Sequence, residues 1–245
     1  MSTSEREEQI LEIIRKRNYV SVNELSHLLI TSPSSIRRDL TSMQNRGLVT
    51  RSHGGVSLPD HVKGVASLHD RMTKNTAEKR IIAKKAATLL ENGQTVLLDS
   101  SSTASFLVPH IAQLRSVTVF TNNLVTAMSL IEAGVNTHCI GGCSIGGSPI
   151  MSGSEAFRTV SSIRPDILFF SSQSLDRDGA ISDSTEEENY MRGLMLDSAK
   201  RSVFLCDSYK FGQHSTYTLT TLDKVAVAVF DKPFEELRLP PKTLL

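Results

Sequence analysis

The sequence predicts an α/β chain in two parts, a small helical part that ends in a β-hairpin and a larger part in which strands and helices alternate. Three observations predict it. In the first sixty residues, capping residues and helical apolar spacing mark three short helices, and a Gly-Gly tip joins two strand-like pieces. Beyond residue 76, six apolar runs alternate with helix-patterned stretches, as in a mostly parallel sheet covered on both faces. Between the two, residues 59–75 mix Pro, Gly, His and isolated charges without any period. The expected division is therefore 1–58, a linker at 59–75, a second domain at 76–235 and a tail at 236–245.

A chain of 245 residues with 39% hydrophobic and 22% charged residues suits two globular domains. The longest apolar runs, such as Val225 to Phe230, are strand-sized and far short of the roughly 18 residues a membrane span needs. The polar start, Met1-Ser-Thr-Ser-Glu-Arg, does not read as a signal peptide. Three cysteines fit a reducing compartment better than a disulfide framework. A cytoplasmic location is expected. The net charge is +1, but its distribution is uneven. From residue 15 to 51 the basic residues are Arg15, Lys16, Arg17, Arg37, Arg38, Arg46 and Arg51, against only Glu24 and Asp39. A basic module in a neutral chain is the electrostatic footprint of nucleic-acid binding.

The first helix, about 4–17, places Ile10, Ile13 and Ile14 on one face. Ser21-Val-Asn-Glu24 is a capping box that opens the second helix. Ser32-Pro33 supplies an N-cap and a first-turn proline for the third. At about 100° per residue, Ile36, Leu40 and Met43 share one face of that helix. Ser34, Arg37, Arg38 and Thr41 share the other. Hydroxyls and guanidiniums on an outward face suit the major groove, because arginine grips guanine or phosphate bidentately. An ordinary solvated face with two surface arginines is the competing reading. Gly47 closes the helix, and Leu48 to Arg51 and Val56 to Leu58 form a hairpin around His53-Gly54-Gly55. Three helices and a hairpin make a winged helix. The expected DNA contacts are Ser32, Ser34, Ser35, Arg37, Arg38 and Thr41 on the third helix, with Arg51 and His53 on the wing. Asp39 is expected to orient an arginine, since a carboxylate facing phosphate is repelled.

In the larger part, strands are expected at 95–98, 117–120, 137–140, 167–170, 203–206 and 225–230, and helices at about 76–90, 103–113, 124–133 and 186–200. Ligands of such sheets bind beyond the carboxyl ends of the strands. There the sequence places Asp99-Ser100-Ser101-Ser102-Thr103, Thr121-Asn122, Gly141-Gly142, Ser174-Leu175-Asp176 and Asp207 to Gly212. Hydroxyls and free amides before a helix form an anion site, and Lys210 supplies positive charge at the same edge. A serine-rich turn with no ligand is the plainer alternative. The expected binding set is Asp99, Ser100, Ser101, Ser102, Thr103, Asn122, Asp176 and Lys210.

Ser32-Pro-Ser-Ser-Ile36-Arg-Arg-Asp-Leu40, followed by Gly47-Leu-Val-Thr-Arg51-Ser-His53-Gly-Gly55, resembles the signature of the DeoR family of bacterial transcriptional regulators. The strand-end loops resemble that family's effector domain, from about residue 5 to 232 overall. The resemblance implies a winged helix-turn-helix joined to an α/β domain similar in fold to ribose-5-phosphate isomerase. It also implies operator DNA and a phosphorylated sugar as partners, most often for repression. Paired half-sites imply a homodimer or homotetramer. Three departures stand out. Ser35 replaces a threonine, Ser101 replaces a glycine, and Arg192-Gly193 stands where the family has Lys-Arg.

Other chemistries fit less well. Gly142-Cys-Ser144-Ile-Gly146 has the spacing of a nucleophile elbow, but Gly147-Ser-Pro149 follows where a helix is required. Cys139, Cys143 and His138 lack the second pair a metal site needs, and Cys139 and Cys206 read as small hydrophobes in strand cores. Glu186 to Glu188 read as first-turn acids that complement a helix dipole. No metal, cofactor or catalytic residue is expected. A sugar-phosphate isomerase fused to a DNA-binding head is the rival reading, for which Asp99, Asp176 and Asp207 are the available bases.

Overall fold

In the computed structural model, which describes residues 3–17, 19–52, 54–57, 68–145, 148–238 and 244, serine caps set where two of the first three helices begin. Helix α1 runs Thr3–Arg17, strand β1 Tyr19–Ser21, helix α2 Val22–Leu28 and helix α3 Pro33–Asn45. Strands β2 (Thr50–Ser52) and β3 (Gly55–Ser57) complete the first unit, which spans residues 1–65. The Ser21 hydroxyl accepts from the Glu24 amide at 3.1 Å, while the Ser21 amide donates to Glu24 at 2.9 Å. Ile36, Leu40 and Met43 are fully buried with Ile10, Ile14, Leu25 and Val56, so the apolar face of α3 packs as its spacing predicts. Leu28 of α2 is 48% exposed. The hairpin gains a strand that the sequence reading missed, because β1 pairs antiparallel with β3 and puts Val20 into the core. Gly55 is required there, since a Cβ would lie 2.7 Å from the Val20 backbone carbonyl.

Both α2 and α3 end in the same bonding pattern. After α3, the amides of Gly47 and Leu48 donate to the carbonyls of Gln44 and Met43, with Gly47 at φ +70°. After α2, the amides of Ile30 and Thr31 donate to the carbonyls of His27 and Ser26, with Ile30 at φ +49°. A β-branched residue is strained in that conformation, and Ile30 is 94% exposed, so no burial offsets the cost. Ile30→Asn is therefore expected to stabilise this unit by about 1 kcal/mol. A urea titration of the full chain checks this, and an unchanged or lowered midpoint refutes it.

The second unit spans residues 66–245. It opens with α4 (Leu68–Thr73), inside the stretch read as linker, and α5 (Thr76–Ala86). Then follow β4 (Thr95–Leu98), α6 (Ser102–Ser105), α7 (Val108–Ile111), β5 (Thr118–Thr121), α8 (Leu124–Glu132) and β6 (Asn136–Cys139). Next come the hairpin β7 (Cys143–Ser144) and β8 (Met151–Ser152), then α9 (Ser154–Ser162), β9 (Ile167–Phe170), β10 (Ser174–Leu175) and β11 (Ala180–Asp183). Helix α10 (Glu186–Ser198), β12 (Ser202–Cys206), β13 (Tyr217–Thr221) and β14 (Val227–Phe230) complete the unit.

Six of these strands form one sheet in the order β14-β12-β9-β4-β5-β6, and every neighbouring pair is parallel. Alternate residues of β4, β9, β12 and β14 feed two cores. Val96 and Leu98 join Ile82, Ala86 and Leu130 of α5 and α8, while Leu97 joins Val160 of α9 and Met191 and Met195 of α10. The chain builds outward from β4 to β6 and then returns to lay β9 on the other side of β4. That reversal is a topological switch point, the place where parallel sheets of this kind have their ligand crevice.

Three features departed from expectation. Helix α9 and the small sheet β10-β11-β13 carry too many polar residues to show an apolar run. Cys139 is exposed, because β6 is an edge strand. Ser144 fits expectation, because it sits in β7 with β8 and not a helix after it, and its hydroxyl donates to the Ser148 carbonyl at 2.6 Å. Leu244, in the stretch read as a tail, bridges to Ala228 of β14.

Candidate nucleic-acid interface and ligand crevice

Helix α3 turns Ser32, Ser34, Arg37, Arg38 and Thr41 to solvent, with Ser35 half-buried. The Ser32 hydroxyl caps the helix by accepting from the Ser35 amide, and it shares hydrogen bonds with the hydroxyls of Ser34 and Ser35. Asp39 is buried and takes the Arg6 guanidinium at 2.6 Å, which ties α3 to α1. The Thr41 hydroxyl donates to the Arg37 carbonyl at 2.8 Å and accepts from the Arg51 guanidinium at 2.9 Å. The wing and α3 are thus bonded to each other, and the Thr41 hydroxyl is spent on that bond. A cleft of about 230 Å³ lies between them, lined by Asn23, Arg37, Arg51, Gly54 and their neighbours. Asn23 did not stand out in the sequence, where it reads only as an exposed residue behind a cap. His53 lies outside the described residues.

The loop after β4 meets the loops after β5, β9 and β12. Asp99 is 1% exposed. One of its oxygens accepts from the amide and hydroxyl of Ser101. The other accepts from the Ser171 amide at 3.2 Å and from Arg192 Nε at 2.8 Å. Asp99 therefore anchors the loop and has no oxygen to spare. The Ser101 hydroxyl also caps α6 by accepting from the Ala104 amide, so this serine serves the fold. Asn123 fastens the same loop, because its amide donates to the Ser100 carbonyl at 3.2 Å.

Arg192, on α10, is 3% exposed and lies within 4 Å of Asp99, Asp183 and Glu188. Burial works against its charge, but Asp183, Asp99 and Glu188 outweigh it and hold the guanidinium above its ordinary range. Burial pushes the Asp183 carboxyl upward, with Arg192 pulling the other way. Glu188, expected only to complement the helix dipole, is buried against Arg192 at 3.8 Å.

Several buried polar atoms in these loops have no partner among the described residues. They include the Thr103 hydroxyl, the Asn122 side-chain oxygen and the Ser152 hydroxyl. Orphaned buried polar groups are uncommon, and an ordered water, an ion or a bound molecule can complete the bonding of each. Lys210 Nζ donates to the Ser171 hydroxyl at 2.8 Å and lies 3.4 Å from Asp207 Oδ2. Lys79 of α5 is buried nearby and donates to the carbonyls of Arg71 and Lys74. Burial and the charge of Lys210 lower its pKa to about 8. Two cations that disfavour each other beside hydroxyls without partners are suited to an anion that carries hydroxyl groups of its own.

Among the other expected residues, Ser100 and Ser102 are buried in the β4 loop. Asp176 plays another part, because its carboxylate accepts from the amides of Asp178 and Ala180 and closes the β10–β11 turn. Lys79 and Asp183 escaped the sequence reading, and Arg192 entered it only as a departure from the family's Lys-Arg pair, because nothing in the sequence signals their burial.

Residues 6–62 match the family described as the DeoR-like helix-turn-helix domain, and residues 74–232 match the DeoR C terminal sensor domain. The HTH-type transcriptional regulator GolR of Listeria innocua is 30% identical over 97% of both chains. The lactose phosphotransferase system repressor of Staphylococcus aureus is 30% identical over 96% of this chain and 95% of its own. Among solved structures, ribose 5-phosphate isomerase A of Methanocaldococcus jannaschii is similar over 56% of this chain and 55% of its own, with 15% identity and a TM-score of 0.42.

Proposed function

The chain belongs to the DeoR family of bacterial transcriptional regulators, and from that premise we propose that it is a cytoplasmic repressor of sugar-metabolism genes that a phosphorylated sugar releases from its operator. Residues 1–58 carry the operator, and the effector belongs to the unit of residues 66–245, which takes in α4 of the stretch read as linker and Leu244 of the stretch read as tail. No helix among the described residues is long and apolar enough to cross a membrane. Arg37 and Arg38 read bases, while Ser32, Ser34, Ser35, Arg51 and His53 position the unit on the backbone and Thr41 orients Arg51. The crevice carries the effector reading. In support of it, Thr103 and Asn122 carry buried oxygens without hydrogen-bond partners in the loops after β4 and β5, and Lys210 bonds Ser171 in the loop after β9. Ser100, Ser102 and Thr103 hold the phosphate, Lys210 neutralises it, and Asn122 bonds a sugar hydroxyl. Asp99 and Ser101 hold the loop in shape.

The isomerase alternative needs a carboxylate free to take a proton from carbon. Asp99 is bonded to Arg192, Asp176 closes a turn, and Asp207 lies beside Lys210. These pairings favour a binding site over a catalytic one.

The test begins with a thermal-shift screen of pentose and hexose phosphates against the full chain. Lys210→Ala is then expected to weaken the compound found by about tenfold to a hundredfold, since a bond to a charged group is worth roughly 1.5–3 kcal/mol. DNA affinity without effector is expected to be unchanged. Calorimetry that gives wild-type affinity for Lys210→Ala overturns the assignment. Conversion of any of these phosphates by the pure chain revives the isomerase.

A further inference from the structure

Helix α8 is apolar all round. Its sequence, Leu-Val-Thr-Ala-Met-Ser-Leu-Ile-Glu, carries one charge, at Glu132. Thr126, Ala127 and Leu130 pack inward on the sheet. Leu124, Val125, Met128 and Ile131 form the opposite stripe and are 38–56% exposed. A helix that is hydrophobic on both faces belongs in an interior, so in the working protein something covers this stripe. Beside it lies a groove of about 410 Å³ between α5, α7 and α8, with Val125 on its α8 wall and Arg80 and His110 at its rim. One face therefore carries an apolar ridge that ends in an acid and a groove edged by bases.

We propose that this face is where two copies of the chain associate. A two-fold interface sets one patch against itself, so the patch must contain both a feature and its complement, which is what the ridge and the groove provide. With α8 antiparallel to its copy, Glu132 of each chain reaches the Val125 end of the other, where Arg80 lines the groove. A charged foreign partner gains nothing from the uncharged stripe, whereas a second copy buries it completely. The arrangement also supplies the operator with its second α3.

Sedimentation velocity on the full chain without DNA or effector tests this apart from any regulatory reading. The wild-type chain is expected to sediment as a dimer or larger. Met128→Lys is expected to sediment as the 26.9 kDa monomer with an unchanged circular dichroism spectrum. Tyr190→Lys, at an exposed aromatic on α10, is expected to leave association intact. Glu132→Arg and Arg80→Glu are each expected to weaken association about tenfold, and the two together to restore it. A wild-type monomer, a Met128→Lys chain that associates normally, or dissociation by Tyr190→Lys overturns the proposal. A double reversal no stronger than its singles overturns the antiparallel arrangement.

Discussion

Arg192→Met is expected to destabilise residues 66–245 by about 3–5 kcal/mol, the usual cost of breaking a buried ion pair by removing one partner. The guanidinium holds Asp99 and Asp183 at 2.8 Å each, and both carboxylates are buried. Methionine fills much of the space but leaves these acids, and Glu188, without their cation. The pH dependence follows. Burial already pushes the Asp183 carboxyl upward, and losing Arg192 removes the charge that pulls it down, so in the variant its contribution to stability is lost as pH rises through its folded pKa. Acidification from neutral pH toward 5 should narrow the gap to the wild type. Adding Asp183→Asn to Arg192→Met should recover part of the loss at neutral pH. Urea titrations of the three chains at two pH values check this. A loss under about 1 kcal/mol, or a gap that widens in acid, refutes the account.

Replacing Arg37 and Arg38 together with alanine is expected to abolish specific DNA binding while the fold survives. Both side chains are exposed, on the face of α3 opposite Ile36, Leu40 and Met43. Each good base contact is worth roughly 1–3 kcal/mol, so losing two costs about 2–6 kcal/mol, or thirtyfold to beyond ten-thousandfold. The measurement is fluorescence anisotropy at fixed salt, on a duplex that the wild-type chain selects from a random pool. Unchanged affinity removes α3 as the reader. Equal weakening on selected and random duplexes means that the arginines grip phosphate only.

The parts of this chain written in local sequence were readable. Ser21 and Ser32 cap helices with bonds that span three residues, and Gly47 ends α3 for a reason confined to its own backbone. Asp99 to Thr103 and Lys210 were readable as an edge, because the alternation of strands and helices sets which ends of the strands coincide. Arg192 was not readable. It stands in Glu-Glu-Glu-Asn-Tyr-Met-Arg-Gly, which has the look of a solvated helix, and its partner Asp99 is 93 residues away. Lys79 escaped for the same reason, since nothing in Thr-Ala-Glu-Lys-Arg shows that one lysine faces a second cation. The role of Asp99 was misjudged because a carboxylate in a hydroxyl-rich loop looks like a ligand contact until its two oxygens are counted. Residue type was visible in each case, and burial, which decides the chemistry, was not.

The strand order also governs how the sheet is assembled. Strands β4, β5 and β6 are each paired with their successor in the chain, and β9, β12 and β14 likewise. Only β4 and β9 join the two sets, reinforced by Asp99 bonds to Ser171 and Arg192 that span 72 and 93 residues. Closing such long loops costs more entropy than closing the shorter ones within each set, so this seam forms after its two halves. The seam runs through the crevice, with Ser100 to Thr103 on one bank and Lys210 on the other. A molecule gripped by both banks is a strap across the last joint to close and the first to open, and its presence slows the chain's unfolding more than it speeds its folding.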